Sequence, residues 1–305
     1  MSISGDWIIG SVSLFALSVF AYIAAIRWKM RGQADKRSLS GTIGGTLVFC
    51  VSLVVCLAFV RVAAGRLFWA EWFPHAGVLW IGNIAPVLLA WTAGLATAES
   101  ALTPKGRLCA VSGLVFLTVG FVIVPVARPL IFPVVYDEPA RWDDGICMQS
   151  HPSTCGAAAS STLLNLAGIR LNERSMVEAC LTSSLGTEPL GIFRGLSIVT
   201  AGRNLRPAVV DEIPARWQSG DLPNIALVTL EKPRATKIDL VLGANREGHA
   251  IVVLGRTEDG QWLIGDPAVG RTIWTDEDFR SRFTGEAIAL KQSRPTGAST
   301  HLDLW

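Results

Sequence analysis

Apolar residues follow two regimes along this chain. Up to residue 136 they run in long unbroken stretches, and beyond it they recur at the short periods of helices and strands. Four early stretches carry no charged side chain: 7–26, 41–60, 76–98 and 108–127. A bilayer core about 30 Å thick is crossed by about 20 apolar residues in a helix. Buried helices of a soluble protein would keep a polar stripe at helical period, and these stretches keep none. The pattern predicts four spanning helices. Trp7 and Trp28 bracket the first, and Trp69, Trp72 and Phe73 precede the third, as interfacial aromatics do. Within the third, Asn83 suits a helix–helix contact and Pro86 a kink.

The second regime, 137–305, reads as α+β. Helices are predicted at 155–167, closed by Gly168, at 173–181 behind Asn172 as N-cap, and at 191–201, closed by Gly202. Strands follow at 207–210, 224–231, 238–242, 249–254, 261–264, 272–274 and 287–290. Glu258-Asp259-Gly260 is hairpin chemistry, and Thr275 with Asp276 and Glu277 starts a short helix. The expected organisation is a four-span region over 1–136 and a soluble domain over 137–305, its helices packed on an antiparallel sheet.

Charge sharpens that division. Only 17% of the chain is charged and 50% is apolar, too apolar for an ordinary soluble enzyme and excluding a disordered chain. Residues 1–136 hold 10 Lys and Arg against 4 Asp and Glu; residues 137–305 hold 17 against 21. No cluster is basic enough for a nucleic-acid surface. Arg27, Lys29, Arg31, Lys36 and Arg37 follow the first stretch, Arg61 and Arg66 the second, and Lys105 and Arg107 the third. Basic loops stay cytoplasmic, so residues after Arg128 are expected on the outer side of a bacterial plasma membrane. The first stretch reads as an uncleaved span, because its basic residues follow the apolar run rather than precede it. No stretch carries an ionisable residue at its middle, which argues against a transporter.

One constellation carries chemistry. Cys155 opens a predicted helix, where the partial positive charge and free N–H groups of the N-terminus favour a thiolate. Gln149, six residues earlier, is placed to share an oxyanion hole with the Cys155 backbone N–H. A thiolate doing acyl transfer needs a base that later protonates the leaving amine. Of the four histidines, His75 lies beside the third span and His301 in a polar tail. His151 sits on a loop that mounts a base poorly. His249 begins an apolar strand, and Asp266 ends the next strand of the same hairpin, placed to fix the imidazole.

The segments Gln149…Thr-Cys155-Gly-Ala-Ala, Gly191-Ile-Phe-Arg-Gly-Leu, Gly248-His249-Ala-Ile-Val-Val and Ile264-Gly-Asp266-Pro-Ala-Val-Gly270 resemble the bacteriocin-processing double-glycine leader peptidases, a papain-like cysteine peptidase family. The resemblance extends through Phe279 to Phe283-Thr-Gly285, and covers about 145–290 and none of the membrane part. It implies a papain-like fold, with Cys155 as nucleophile, His249 as base, Asp266 as orienter and Gln149 as oxyanion donor. Family members are often fused to a transporter ATPase. This sequence has no Gly-x-x-x-x-Gly-Lys-Ser/Thr loop, and its expected outer domain departs from cytoplasmic leader processing. Peptide or protein is the implied substrate, at the surface of a lipid bilayer. Recognition of Gly-Gly and a separate transport or processing partner are left open. An idle peptide-binding module, or an amidase or transpeptidase using the same acyl-enzyme, are the alternatives. No cofactor is expected, since no Cys/His spacing reads as a zinc site. Cys50, Cys56 and Cys109 fall in spans as apolar residues. Cys147 and Cys180 are either a disulfide or two buried thiols.

Overall fold

The computed structural model describes residues 5–34, 39–135, 141–231 and 246–293. The candidate strand at 238–242 and His301 lie outside these. The chain forms two compact units. One comprises residues 1–66 and 77–128; the other joins 67–76 to 129–305.

The first unit is helical. α1 (Gly5–Ala34), α2 (Leu39–Val62), α5 (Ala85–Thr97) and α6 (Pro104–Ile131) carry most of it, with the short α4 (Val78–Ile81) before α5. Four segments are long and apolar enough to cross a membrane: Ile8–Arg31, Gly44–Val62, Val78–Thr97 and Pro104–Pro125. Most of α5 is buried, whereas α1, α2 and α6 leave much apolar surface exposed. α5 is the centre because it is small on the side facing α1. A Cβ at Gly94 would collide with the Tyr22 carbonyl and Ala25. Asn83 donates through Nδ2 to the Phe121 carbonyl of α6 at 3.0 Å, so the expected helix–helix contact is present. Pro86 does not kink the third span. It lies in the first turn of α5, where its missing N–H costs nothing, and the span is divided into α4 and α5 instead.

α1 outlasts its apolar run, so Arg27, Lys29 and Arg31 lie on the helix rather than in a loop. Lys29 turns inward to a buried ion pair with Glu99, which follows α5. Glu99 Oε1 also accepts from Thr46 Oγ1 at 3.3 Å and the Ala101 N–H at 3.1 Å.

In the second unit, α3 (Phe68–Trp72) packs against β3 (Leu205–Val210). Leu67 is fully buried and its N–H donates to Glu286 Oε1 at 2.8 Å. A hairpin, β1 (Arg141–Asp143) and β2 (Ile146–Met148), turns at Asp144-Gly145, both with positive φ (43° and 80°). Three helices follow: α7 (Cys155–Leu166), α8 (Glu173–Ala179) and α9 (Pro189–Thr200). With β3, the strands β4 (Asn224–Glu231), β5 (Arg246–Arg256), β6 (Trp262–Asp266), β7 (Gly270–Trp274) and β8 (Phe283–Gln292) form one antiparallel sheet. Its order is β3-β8-β4-β5-β6-β7. α10 (Asp276–Arg282) puts Phe279 into a core with Val228, Ile251, Trp262 and Trp274. α7 rests on β4 and β5 and against α8 and α9. Helices packed on an antiparallel sheet, with the long apolar helices before them, are the expected fold class.

The packing of α8 on α9 explains the Gly191-Ile-Phe-Arg-Gly195 segment. A Cβ at Gly191 would strike the Cys180 carbonyl, and one at Gly195 the Cys180 sulfur. Arg194, between them, is buried and donates to the Ala179 carbonyl at 2.6 Å.

Candidate active site

Cys155 is the first residue of α7, on a loop that closes on itself. Thr154 Oγ1 donates to the His151 carbonyl at 2.7 Å and accepts the His151 N–H at 3.2 Å. Gly156 lets the next segment approach, since a Cβ there would sit 3.0 Å from both Ile192 and Thr187. Cys155 is half-buried and its thiol is free.

His249 lies on β5 opposite Val228 of β4. Asp266 is the last residue of β6, the next strand. His249 Nε2 and Asp266 Oδ1 are 2.8 Å apart, and both side chains are buried. Asp266 Oδ1 also accepts the Ala268 N–H at 2.8 Å, so the Asp-Pro turn itself fixes the carboxylate. With Nε2 engaged, Nδ1 is the ring nitrogen left for Cys155, which lies close enough to act on the imidazole. Burial pushes the imidazole towards its neutral form. The hydrogen bonds to Asp266 and Cys155 and their charges outweigh it and lift its pKa to about 10. His249 is therefore an imidazolium at neutral pH.

Gln149 leads into the Cys155 loop, and its N–H donates to the Pro267 carbonyl at 2.9 Å, beside Asp266. Its Oε1 is buried without a hydrogen-bond partner among the described residues. His151 is set apart, since its Nδ1 is 2.8 Å from Ser153 Oγ within its own loop. His75 stacks edge-on against Phe73, centroids 6.4 Å apart.

Six cysteines are free thiols, so Cys147 and Cys180 are not joined. Cys180 Sγ lies 3.9 Å from Ser160 Oγ. The Cys147 N–H donates to Thr162 Oγ1 at 2.9 Å. Successive helical residues advance by about 100°, so the two cysteines address different sides of α7. Burial pushes both thiols up to about 12.

Sequence reasoning missed Glu173. It is buried at the start of α8, and its Oε1 accepts the Ser150 N–H at 2.9 Å. Its position after an N-cap is the ordinary place for an exposed acidic residue. No sequence signal marks it as buried.

The Peptidase C39 family model matches residues 144–294, the span that holds Gln149, Cys155, Glu173, His249 and Asp266. Residues 144–294 form a Peptidase C39 domain. The chain is thus a cysteine peptidase. An uncharacterised protein of Methanothermobacter thermautotrophicus is 26% identical over 150 residues, 49% of this chain and 90% of that one. Among crystal structures, the peptidase domain of Streptococcus ComA, a bi-functional ABC transporter involved in quorum sensing, is 24% identical. It covers 48% of this chain and 96% of its own, with a TM-score of 0.38. A double-glycine motif protease from an AMS/PCAT transporter, in complex with its leader peptide, is 21% identical over 52% of this chain and 97% of its own, with a TM-score of 0.39.

Proposed function

We propose that the chain is a membrane-anchored peptidase that cleaves peptide or protein substrates through an acyl-enzyme on Cys155. The observation that carries this reading is His249 held between Cys155 and Asp266, within a C39 domain. The Cys155 sulfur attacks the peptide carbonyl carbon while the Gln149 amide and the Cys155 backbone N–H hold the developing oxyanion. The His249 imidazolium passes its proton to the leaving amine as the C–N bond breaks. Neutral His249 then takes a proton from water, which attacks the thioester and regenerates Cys155. Asp266 keeps the ring oriented through Nε2.

The four apolar segments would supply the anchor, and the basic residues in the first and third loops support a C39 domain outside the cytoplasm. Loop residues 67–76 share a unit with the C39 domain. That sharing supports a reading in which two crossings separate residues 67–76 from the C39 domain. An activity-based thiol probe on membranes, with substrate proteomics of wild type against Cys155→Ala, tests the reading. Labelling and peptide products should vanish together in the variant. A product spectrum unchanged by Cys155→Ala would reject it. A reporter fused to the C-terminus tests orientation, and activity confined to the cytoplasm would reverse it.

A further inference from the structure

We propose that Glu173 is a positioning residue, which sets Gln149 against Cys155 by holding the main chain that directly follows it. The proposal rests on the reading of Gln149 as oxyanion donor. Glu173 is 1% exposed, so its burial needs a return. Its carboxylate accepts the N–H of Ser150, the residue after Gln149, at 2.9 Å. The contact of its backbone N–H with the Cys147 sulfur does not depend on the carboxylate, so the bond to Ser150 is what the Glu173 side chain itself supplies. The Gln149 N–H itself is taken by Pro267, next to Asp266. Gln149 is thus fixed between the Asp266 turn and Glu173, which α8 presents through its Asn172 cap (Asn172 Oδ1 accepts the Ser175 N–H at 2.9 Å). An oxyanion donor is effective only where it is held in place before reaction. Among the described residues the Gln149 Oε1 has no hydrogen-bond partner, so its backbone must supply that order.

Two probes of the full-length protein separate positioning from folding. Acylation by p-nitrophenyl acetate builds an oxyanion; alkylation by iodoacetamide builds none, yet both need the Cys155 sulfur. Glu173→Ala should slow acylation towards the roughly 10²–10³-fold loss of an oxyanion donor and leave alkylation near the wild-type rate. Glu173→Gln keeps an acceptor oxygen and should restore most of the acylation. In a Gln149→Ala background, Glu173→Ala should slow acylation no further, because residues acting as one unit are not additive. Glu173→Met carries the same comparison should the alanine variant fold poorly. Multiplying effects of the two alanine substitutions, or equal losses in acylation and alkylation, would overturn the proposal. If Gln149→Ala alone leaves acylation intact, the oxyanion reading fails and the proposal with it. If Cys155→Ala is still acylated, the nucleophile is wrong, a distinct outcome.

Discussion

Among the described residues, Lys29–Glu99 in the helical unit and His249–Asp266 in the C39 domain are buried pairs of a basic group and a carboxylate, and they are finished differently. In the helical unit, Lys29 meets Glu99, and the remaining carboxylate oxygen is taken by Thr46 and the Ala101 N–H. Lys29 also reaches the Leu95 carbonyl at 3.5 Å. Each partner faces protein, and the pair ties α1 and α2 to α5. In the C39 domain, Asp266 Oδ1 is likewise saturated by His249 and Ala268. The imidazole, however, has a second nitrogen, and Cys155 lies close enough to the ring to raise its pKa. A buried pair contributes little net stability once desolvation is counted. What distinguishes the second is that its titratable ring lies close to a thiol, and the first has nothing equivalent.

Removing the member close to the thiol should have the largest effect. His249→Ala should abolish turnover as fully as Cys155→Ala, and the double variant should be no worse than either; residual turnover near wild type in His249→Ala would name another base. His151→Ala, whose ring is tied to Ser153, should leave turnover unchanged. Gln149→Ala should retain thiol labelling and slow acylation by roughly 10²–10³-fold.

Asp266→Asn should act less through rate than through pH. The His249 pKa is raised from 6.5 to about 10, so its charge supports the folded site fully below about 6.5, and that support is lost as pH rises through about 10. With asparagine, the carboxylate's charge goes while burial remains, and the imidazole pKa falls. The alkaline limb of kcat/KM should move from about pH 10 towards neutrality; an unmoved limb would show that Asp266 does not govern the imidazole.

The pair in the C39 domain was legible in sequence, and the one in the helices was not. His249 and Asp266 lie on consecutive strands, where antiparallel pairing brings short sequence separations together; Val252 opposite Gly265 fixes that register. Lys29 and Glu99 are brought together only by packing of α1 on α5, and each reads in sequence as a charge just past an apolar run. Glu173 was hidden for the same reason, since α8 must fold back on the Gln149 loop. The Asp144-Gly145 hairpin was readable and missed, a two-residue turn whose flanking strands are too short to show alternation. The possibility of a Cys147–Cys180 bridge arose from counting thiols, which ignores that α7 offers each a separate side.

The smallest effect on turnover should come from the helical pair, and it gives the comparison its sharpest test. Lys29→Met leaves a buried carboxylate without its cation, a loss of about 3–5 kcal/mol for buried pairs, so the full-length protein in detergent should unfold at lower temperature. Adding Glu99→Gln removes the stranded charge and keeps an oxygen for Thr46 and Ala101, so much of the stability should return. Throughout this series, the rate of Cys155 alkylation by iodoacetamide, measured below the unfolding transition, should hold at the wild-type value. A drop in alkylation that follows Lys29→Met at temperatures where the protein is folded would mean that the two pairs are coupled. The helical pair would then take part in the chemistry rather than in the packing of α1 on α5 alone.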